Sequence, residues 1–154
     1  MKKSVLALAL LMSFTMLTAC GKKNEEKGLY SYKTEFVGDN SKVSGIASGI
    51  KYPEGYTEDG IKINSKEEPY SLDIYLNVKS SDENIDFFDQ AVLTFALIGN
   101  VEQINYINKD NNELIDSYKR ETVEVVLREN GEKSLKEIGS SQEEIDNYLK
   151  NTEN

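Results

Sequence analysis

A serine and a lysine three residues apart are the first pair in this sequence whose types and spacing suit chemistry. Ser48 and Lys51 match the Ser-x-x-Lys spacing of serine acyl-transfer enzymes, in which the lysine takes the proton that histidine takes elsewhere. The Ser-Asp-Asn and Lys-Thr-Gly elements that accompany this motif do not occur in the chain, and Pro53 follows closely. A four-residue match is expected by chance at this length, so we interpret the pair as structural.

Oxygen ligands at alternate positions suggest a second kind of chemistry, calcium binding. Asn108, Asp110 and Asn112 have the spacing with which calcium loops begin. A complete EF-hand loop would need Gly at its sixth position and Glu at its twelfth, where this chain has Glu113 and Lys119. We therefore interpret the segment as the polar turn of a hairpin.

Four carboxylates crowd one stretch of the chain: Asp82, Glu83, Asp86 and Asp89. A pair of such groups could act as acid and base in glycoside cleavage, provided that burial drives their pKa values apart. The surrounding sequence is a polar turn at the predicted start of a helix, where negative charge is favourable. Stabilisation of the helix end is the simpler interpretation, and a small hydrolase of envelope polymer is the alternative.

Composition excludes several other classes of function. The chain of 154 residues has 27 acidic and 18 basic side chains, a formal net charge of -9, no His and one Cys. Nucleic-acid binding depends on clustered Lys and Arg, and His-dependent nucleophiles and typical zinc sites need side chains that this chain lacks. We expect a protein that is not an enzyme, with no cofactor, no metal and no nucleic-acid partner.

Tyrosine is the residue type that favours a binding surface. Four of the nine Tyr residues, Tyr52, Tyr56, Tyr70 and Tyr75, fall around the first predicted hairpin. A tyrosine ring combines rigid apolar area with a polar tip, which suits recognition, although most Tyr residues in strands pack on the sheet. These four are the candidate recognition surface.

The N-terminus predicts export and lipidation. Lys2 and Lys3 precede the uncharged apolar run 4–19, which is shorter than a membrane-spanning helix and typical of a signal peptide. The residues Leu-Thr-Ala before Cys20 resemble the lipobox of bacterial lipoproteins, in which the Cys is acylated, for example with palmitate, and becomes the new first residue. The alternative is an ordinary secretory signal followed by a structural thiol.

This prediction places the protein on the outer, extracytoplasmic face of the cell membrane. Residues 20–154 keep 16 basic and 27 acidic side chains, and 16 - 27 = -11, so lipid rather than basic charge would hold the protein there. Residues 20–28 form a polar tether with an r.m.s. reach of roughly 15 Å. The predicted folded domain covers residues 29–130, and residues 131–154 form a helical extension.

Local patterns predict the first half of that domain. Apolar and polar residues alternate over residues 30–36, which predicts a strand or an extended lead-in. Possible N-caps at 39–41 then predict a short helix that extends to Ile50. A turn at 52–55 leads to two strands, which include 61–63 and 72–78 and form a hairpin around 66–69.

The second half repeats this alternation of helices and hairpins. A capping box at 80–83 predicts a helix to Ile98 that is apolar almost all round, and such a helix is normally covered on every side. A second hairpin joins 101–107 to 114–118. The segment 121–130 fits a helix or a strand, and we favour the helix. A capping box formed by Ser141 and Glu144 begins a final helix.

The predicted fold class is therefore α+β: an antiparallel sheet of about four strands with helices packed on one face, in the order helix, hairpin, helix, hairpin, helix.

One family resembles this chain. The stretch Tyr-Lys-Thr-Glu-Phe-Val-Gly-Asp-Asn-Ser-Lys-Val at 32–43, followed by Tyr52-Pro53 and Pro69-Tyr70, resembles the bacterial extracytoplasmic family called domain of unknown function 4825 over about residues 29–130. The resemblance implies a small lipoprotein or a domain similar to the outer part of BlaR-type sensors. It implies no catalytic residues, and the helix after Gly131 departs from the family pattern.

The combined expectation is a membrane-anchored, extracytoplasmic binding module without catalytic activity. The predicted anchor and the tyrosines favour a sensory or regulatory role for this module. A membrane protein is one candidate partner.

Overall fold

A computed structural model describes residues 28–79 and 85–152. The predicted signal peptide, Cys20 and the capping box at 80–83 lie outside the described residues. The structure begins with a 3-10 helix at Leu29–Tyr32, and its helices and strands follow in this order: α1 Asn40–Gly49, β1 Tyr56–Asn64, β2 Ser71–Val78, α2 Phe88–Leu97, β3 Gln103–Asn108, β4 Leu114–Lys119, α3 Arg120–Glu129, α4 Leu135–Ile138 and α5 Gln142–Thr152.

The four strands form one sheet in the order β1-β2-β3-β4, and the class α+β is confirmed. β1 pairs with β2 and β3 with β4 in antiparallel hairpins, as predicted, but β2 and β3 are parallel. The prediction of an entirely antiparallel sheet is therefore wrong. The physical reason is the connection: α2 carries the chain from the end of β2 back along the sheet, so the chain enters β3 in the same direction as β2.

The helix α2 is the centre of the core. Every residue from Ala91 to Leu97 is buried, and the helix contacts α1, α3 and α4 as well as sheet residues such as Ile74 and Tyr106 in one cluster. The prediction that this apolar helix is covered on every side is confirmed. The helix begins later than predicted. Ile85 to Phe87 are not helical, and Phe87 occupies the N-cap position.

The segment before α1 packs on the glycines of that helix. Instead of a strand over 30–36, the chain forms a 3-10 turn and a single bridge between Thr34 and Ile98. A 3-10 turn places residues three apart on one side. Tyr32 and Leu29 accordingly lie against Gly45 and Gly49, where any Cβ would meet them at 2.3 and 2.8 Å. Tertiary packing therefore explains both the turn and the two glycines.

The first turn of α1 is capped as the sequence predicts. The carboxylate of Asp39 accepts a hydrogen bond from the backbone N–H of Lys42 at 3.3 Å, which satisfies one donor at the helix start.

The ambiguous segment 121–130 is helical, as favoured from the sequence. Val123 and Leu127 of α3 are buried one turn apart, and Gly131, with φ of 71°, ends the helix in a left-handed conformation. The sequence prediction missed α4, which begins with a capping box between Ser134 and Glu137. Three helices therefore follow the second hairpin, where the segment patterns predicted two.

Arg120, the first residue of α3, ties this helix to the end of α2. Its guanidinium donates hydrogen bonds to the carbonyls of Val101 at 2.8 Å, Ile98 at 2.5 Å and Phe95 at 3.1 Å. Burial lowers the pKa of Arg120, while the nearby Glu102 carboxylate opposes that shift. One cation thus satisfies carbonyl groups that the end of α2 leaves without helical partners.

Candidate functional site

The face of the sheet that carries alternate β2 residues Asp73 and Tyr75 lies opposite the core. Leu72, Ile74 and Leu76 point into the core, and the residues between them point the other way. The sequence predicted this polar face from the period of two in β2. It did not predict which residues of the other strands lie beside Asp73.

A polar row crosses all four strands on this face. Strand register pairs Lys62 with Asp73, Asp73 with Asn105, and Asn105 with Ser117. We call these four residues the polar row. Each strand contributes one member, so the row exists only because β2 and β3 pair in this register.

Asp73 is the centre of the polar row and only 7% exposed. Its carboxylate accepts hydrogen bonds from the Asn105 side-chain amide at 2.7 Å and from the Asn64 amide at 3.2 Å, and the Lys62 ammonium lies 3.8 Å away. A carboxylate that is almost buried needs such partners, because an unpaired one is costly. The neighbouring strands therefore hold Asp73 in a fixed position.

The far half of the row is hydrogen-bonded in the same way. The Asn105 carbonyl oxygen accepts from the Ser117 hydroxyl and from the Gln103 amide, both at 2.8 Å. The Gln103 amide also lies 3.2 Å from the Ser117 hydroxyl oxygen. The side chains are thus ordered before any partner arrives, which lowers the entropy that binding would cost.

Tyr75 borders the polar row on the same face. Its ring is half-buried, and the Lys109 ammonium lies 5.2 Å from the ring centroid. Lys109 also donates a hydrogen bond to the carbonyl of Asp59 at 3.2 Å, which joins the β3–β4 turn to β1. Among the four tyrosines predicted as recognition residues, Tyr75 is the one that lies beside the polar row.

Of the other predicted tyrosines, Tyr56 is buried in the core and Tyr52 is partly buried and packs against it. Tyr56 is 5% exposed and packs edge-on against Phe87, with ring centroids 5.2 Å apart. Tyr52 packs edge-on against Tyr106 and donates its hydroxyl hydrogen to the carbonyl of Ala47 at 2.9 Å. Burial, and secondarily the charge of a nearby glutamate, raises the pKa of Tyr52 well above its usual value. The Tyr56 ring is therefore enclosed by the core, whereas the Tyr52 ring keeps part of its surface exposed.

Tyr70 lies in a third place, just before β2. It lines a groove of about 410 Å³ with Pro69, Asn100 and Glu102, and its carbonyl accepts a hydrogen bond from the Glu102 backbone N–H at 2.9 Å. Its ring packs against the core from the edge. The structure therefore distributes the four tyrosines over the core, this groove and the open face of the sheet.

The described members of the acidic group are hydrogen-bonded to tyrosines. The Tyr118 hydroxyl lies 2.6 Å from the Asp86 carboxylate and 2.5 Å from Asp116, and the Tyr148 hydroxyl donates to Asp89 at 2.7 Å. Burial, followed by the bonds to Asp116 and Asp86, raises the pKa of Tyr118 above its usual value. Asp82 and Glu83 lie outside the described residues.

The remaining chemical motifs have local structural contacts. The Ser48 hydroxyl donates to the Glu58 carboxylate at 2.9 Å, and Asn108 accepts from the Asp110 backbone N–H at 2.9 Å within the hairpin turn. Asn112 completes this turn with φ of 59°. Within 28–79 and 85–152, no three His, Cys, Asp or Glu side chains are grouped so that they could hold a metal ion.

The fold and the polar row define a small α+β domain with a sheet that is covered on one face and hydrogen-bonded across the other. In that same described part of the chain, no helix is long and apolar enough to cross a membrane. The sequence model of the family described as domain of unknown function (DUF4825) matches residues 29–121. The chain belongs to this family, which confirms the resemblance seen in the sequence.

The family match ends near the start of α3, so most of α3 and all of α4 and α5 lie beyond it. No curated protein and no solved structure gives a significant match to the chain.

Proposed function

We propose that this chain is a membrane-anchored, extracytoplasmic binding module without catalytic activity, and that it recognises a membrane protein through the open face of its sheet. The observation that carries the proposal is the polar row: Lys62, Asp73, Asn105 and Ser117 are locked into one line across four strands. Tyr75 adds an aromatic ring beside that line.

The charge of this face supports a protein partner. Residues 20–154 carry a net charge of -11, whereas Lys62 and Lys109 outnumber Asp73 on the open face. An acidic or neutral protein surface can therefore approach this face without the repulsion that the rest of the protein exerts. The row supplies hydrogen-bonding groups in fixed positions, which favours specificity.

The anchor rests on the N-terminal sequence. The apolar run 4–19 and Cys20 support acylation on the outer face of the cell membrane, and a membrane protein is then a partner held at high local concentration. Replacement of Cys20 by Ala is expected to release the protein from the membrane fraction. A Cys20→Ala protein that still fractionated with membranes would contradict the anchor.

The alternative function, a hydrolase of envelope polymer, has less support. Asp86 and Asp89 are each hydrogen-bonded to a tyrosine hydroxyl, an arrangement that favours a structural role for both.

The test compares two tyrosines of the same hairpin. Full-length acylated protein would be cross-linked in its parent membrane, and capture of the recovered partner would be measured for Tyr75→Ala and for Tyr70→Ala. Because a central aromatic contact contributes about 2 kcal/mol or more to binding, Tyr75→Ala should weaken capture by at least about 10-fold. Tyr70→Ala should leave capture unchanged. Because the Tyr70 ring packs against the core, this variant should unfold at a lower temperature, so capture would be compared where circular dichroism shows both variants folded.

The reverse pattern would contradict the proposed surface. If Tyr70→Ala abolished capture and Tyr75→Ala did not, the groove beside Glu102 would be the binding site. A second change on the open face, Asn105→Ala, tests the polar row independently of the Tyr75 ring. It removes a hydrogen-bond partner of Asp73 and should also weaken capture.

A further inference from the structure

Two exposed aromatic rings lie near the end of the described chain that is closest in sequence to the predicted lipid anchor. The large hydrophobic side chains that are exposed among residues 28–79 and 85–152 are Tyr30, Phe36 and Leu114. Phe36 is 68% exposed, and it lines an open groove together with Tyr30. Leu114 begins β4, at the hairpin end of the sheet.

The backbone around Phe36 is fixed, so the ring cannot turn inward. The Phe36 N–H donates to the Thr34 hydroxyl oxygen at 3.2 Å, and the next N–H, that of Val37, donates to the Asn100 side chain at 2.6 Å. The Val37 side chain is completely buried. The neighbours on both sides are thus held in place while the ring of Phe36 faces solvent.

The groove differs from the rest of the protein in its charge. Lys33 and Lys42 balance Glu35 and Asp39 along its lining, so it is formally neutral. Residues 20–154 together have a net charge of -11, which would repel phosphate headgroups. The groove is therefore a surface on which this acidic protein can approach a lipid bilayer.

The tether limits how far this surface can be from the bilayer. Cys20 and Gly28 are eight residue steps apart in the sequence, and a fully extended chain of that length spans at most about 29 Å. The first described residue leads directly into the 3-10 helix Leu29–Tyr32, which lies beside the groove. An acylated Cys20 would thus keep the groove within one short tether of the lipid headgroups.

We propose that the groove around Phe36 is the membrane-contacting surface of the anchored protein. Phe36 and Tyr30 lie at the boundary between headgroups and acyl chains, and the exposed ammonium of Lys42 lies at the depth of the phosphates. The Lys33 ammonium donates to the carbonyl of Gly139 at 2.7 Å and contributes its charge from that position. The occupant of the groove is the phospholipid of the bilayer that holds the anchor. This inference rests on the proposed lipidation of Cys20.

Such a contact would orient the open face of the sheet. Val37, the residue after Phe36, is hydrogen-bonded to Asn100 shortly before the start of β3, whereas Leu114 pairs with Ile107 near its far end. The strand from Gln103 to Ile107 alone advances about 13 Å away from the groove. The β3–β4 turn would therefore point away from the bilayer, so that the strands stand upright and the polar row, which crosses them, runs parallel to the bilayer beside a membrane protein.

The chain contains no Trp, so a single introduced Trp reports its own surroundings. Full-length acylated Phe36→Trp and Leu114→Trp proteins would be reconstituted into vesicles of phosphatidylethanolamine and phosphatidylglycerol, with and without brominated acyl chains. We expect the Phe36→Trp emission to shift to shorter wavelength and to fall at least about twofold with brominated lipid, because an interfacial ring lies within several ångströms of the bromines. Leu114→Trp should show neither change.

Three results would overturn the inference. Equal quenching of the two variants, or none in Phe36→Trp while the protein still sediments with vesicles, would refute this surface and leave the anchor intact. A shift to shorter wavelength without quenching would assign the groove to a protein contact, such as a second copy of the chain. Failure of the acylated wild type to sediment with vesicles would refute the anchor, and the membrane contact with it.

Discussion

Arg120 provides the sharpest test of how this fold is held together. Its guanidinium is the donor to three carbonyls, those of Phe95, Ile98 and Val101, at the end of α2. Replacement of Arg120 by Met keeps an apolar stem of similar length and removes all three hydrogen bonds. The end of the central helix would then lose the hydrogen bonds that join it to the first residue of α3, while the packing of Val123 and Leu127 would remain.

The expected cost can be worked from these contacts. Hydrogen bonds to a charged group contribute about 1.5–3 kcal/mol each, so three would give about 4.5–9 kcal/mol if they were additive. Three effects make the real cost smaller than this sum. The three bonds share one guanidinium and are not independent, and the side chain is 20% exposed to water. Removing the cation also removes the free-energy penalty of burying its charge. We therefore expect the free energy of unfolding to fall by about 3–4 kcal/mol.

Urea unfolding monitored by circular dichroism would measure this change, and a melt should show a midpoint lower by about 12 °C or more. Arg128 supplies a matched control, because it is the other arginine of the chain and is exposed in the last turn of α3. Arg128→Met should cost less than about 1 kcal/mol. A loss below about 1 kcal/mol for Arg120→Met, or equal losses for both variants, would refute the reasoning.

Two further predictions concern a close packing contact and a helix cap. Gly45→Ala should lower the free energy of unfolding by about 1–2 kcal/mol in chemical unfolding, because the new Cβ would meet the Tyr32 ring. Ala normally favours a helix, so a stabilising Gly45→Ala would contradict this packing argument. The control Gly38→Ala, whose Cβ would have no atom within 4 Å, should be nearly neutral. The Ser134 hydroxyl and then the Ser134 backbone N–H lower the pKa of Glu137, so its stabilising contribution is present at neutral pH and is lost as pH falls through that lowered pKa. The difference in unfolding midpoint between wild type and Glu137→Gln should accordingly disappear in acid, and a difference that is independent of pH would argue against the carboxylate as its source.

The candidate recognition residues show how far local patterns extend. Alternation in β2 correctly placed Asp73 and Tyr75 on the polar face, because side chains in any strand alternate between faces. Nearness in sequence suggested one surface for four tyrosines, but Tyr56 is buried in the core and Tyr52 packs against it. A tyrosine ring can fill either environment, so its location depends on what the rest of the fold places beside it.

The polar row could not be found from the sequence for the same reason. Lys62, Asp73, Asn105 and Ser117 are separated by 11, 32 and 12 positions, and their alignment depends on the register of three strand pairs. A slip of one residue in any pair would turn the paired side chain to the opposite face. The signal that exists in the sequence, a polar residue at alternate positions, does not identify which residues become neighbours.

The sequence by itself determined the features that depend on near neighbours: the two hairpins, the cap of α1 by Asp39, the apolar α2 and the helix α3. These follow from side-chain periodicity and from hydrogen bonds within a few residues. Only the tertiary structure decided the parallel pairing of β2 with β3 and the 3-10 turn against α1. Contacts between distant segments select these arrangements, because packing around α2 fixes the direction of β3, and the two glycines of α1 accept Leu29 and Tyr32.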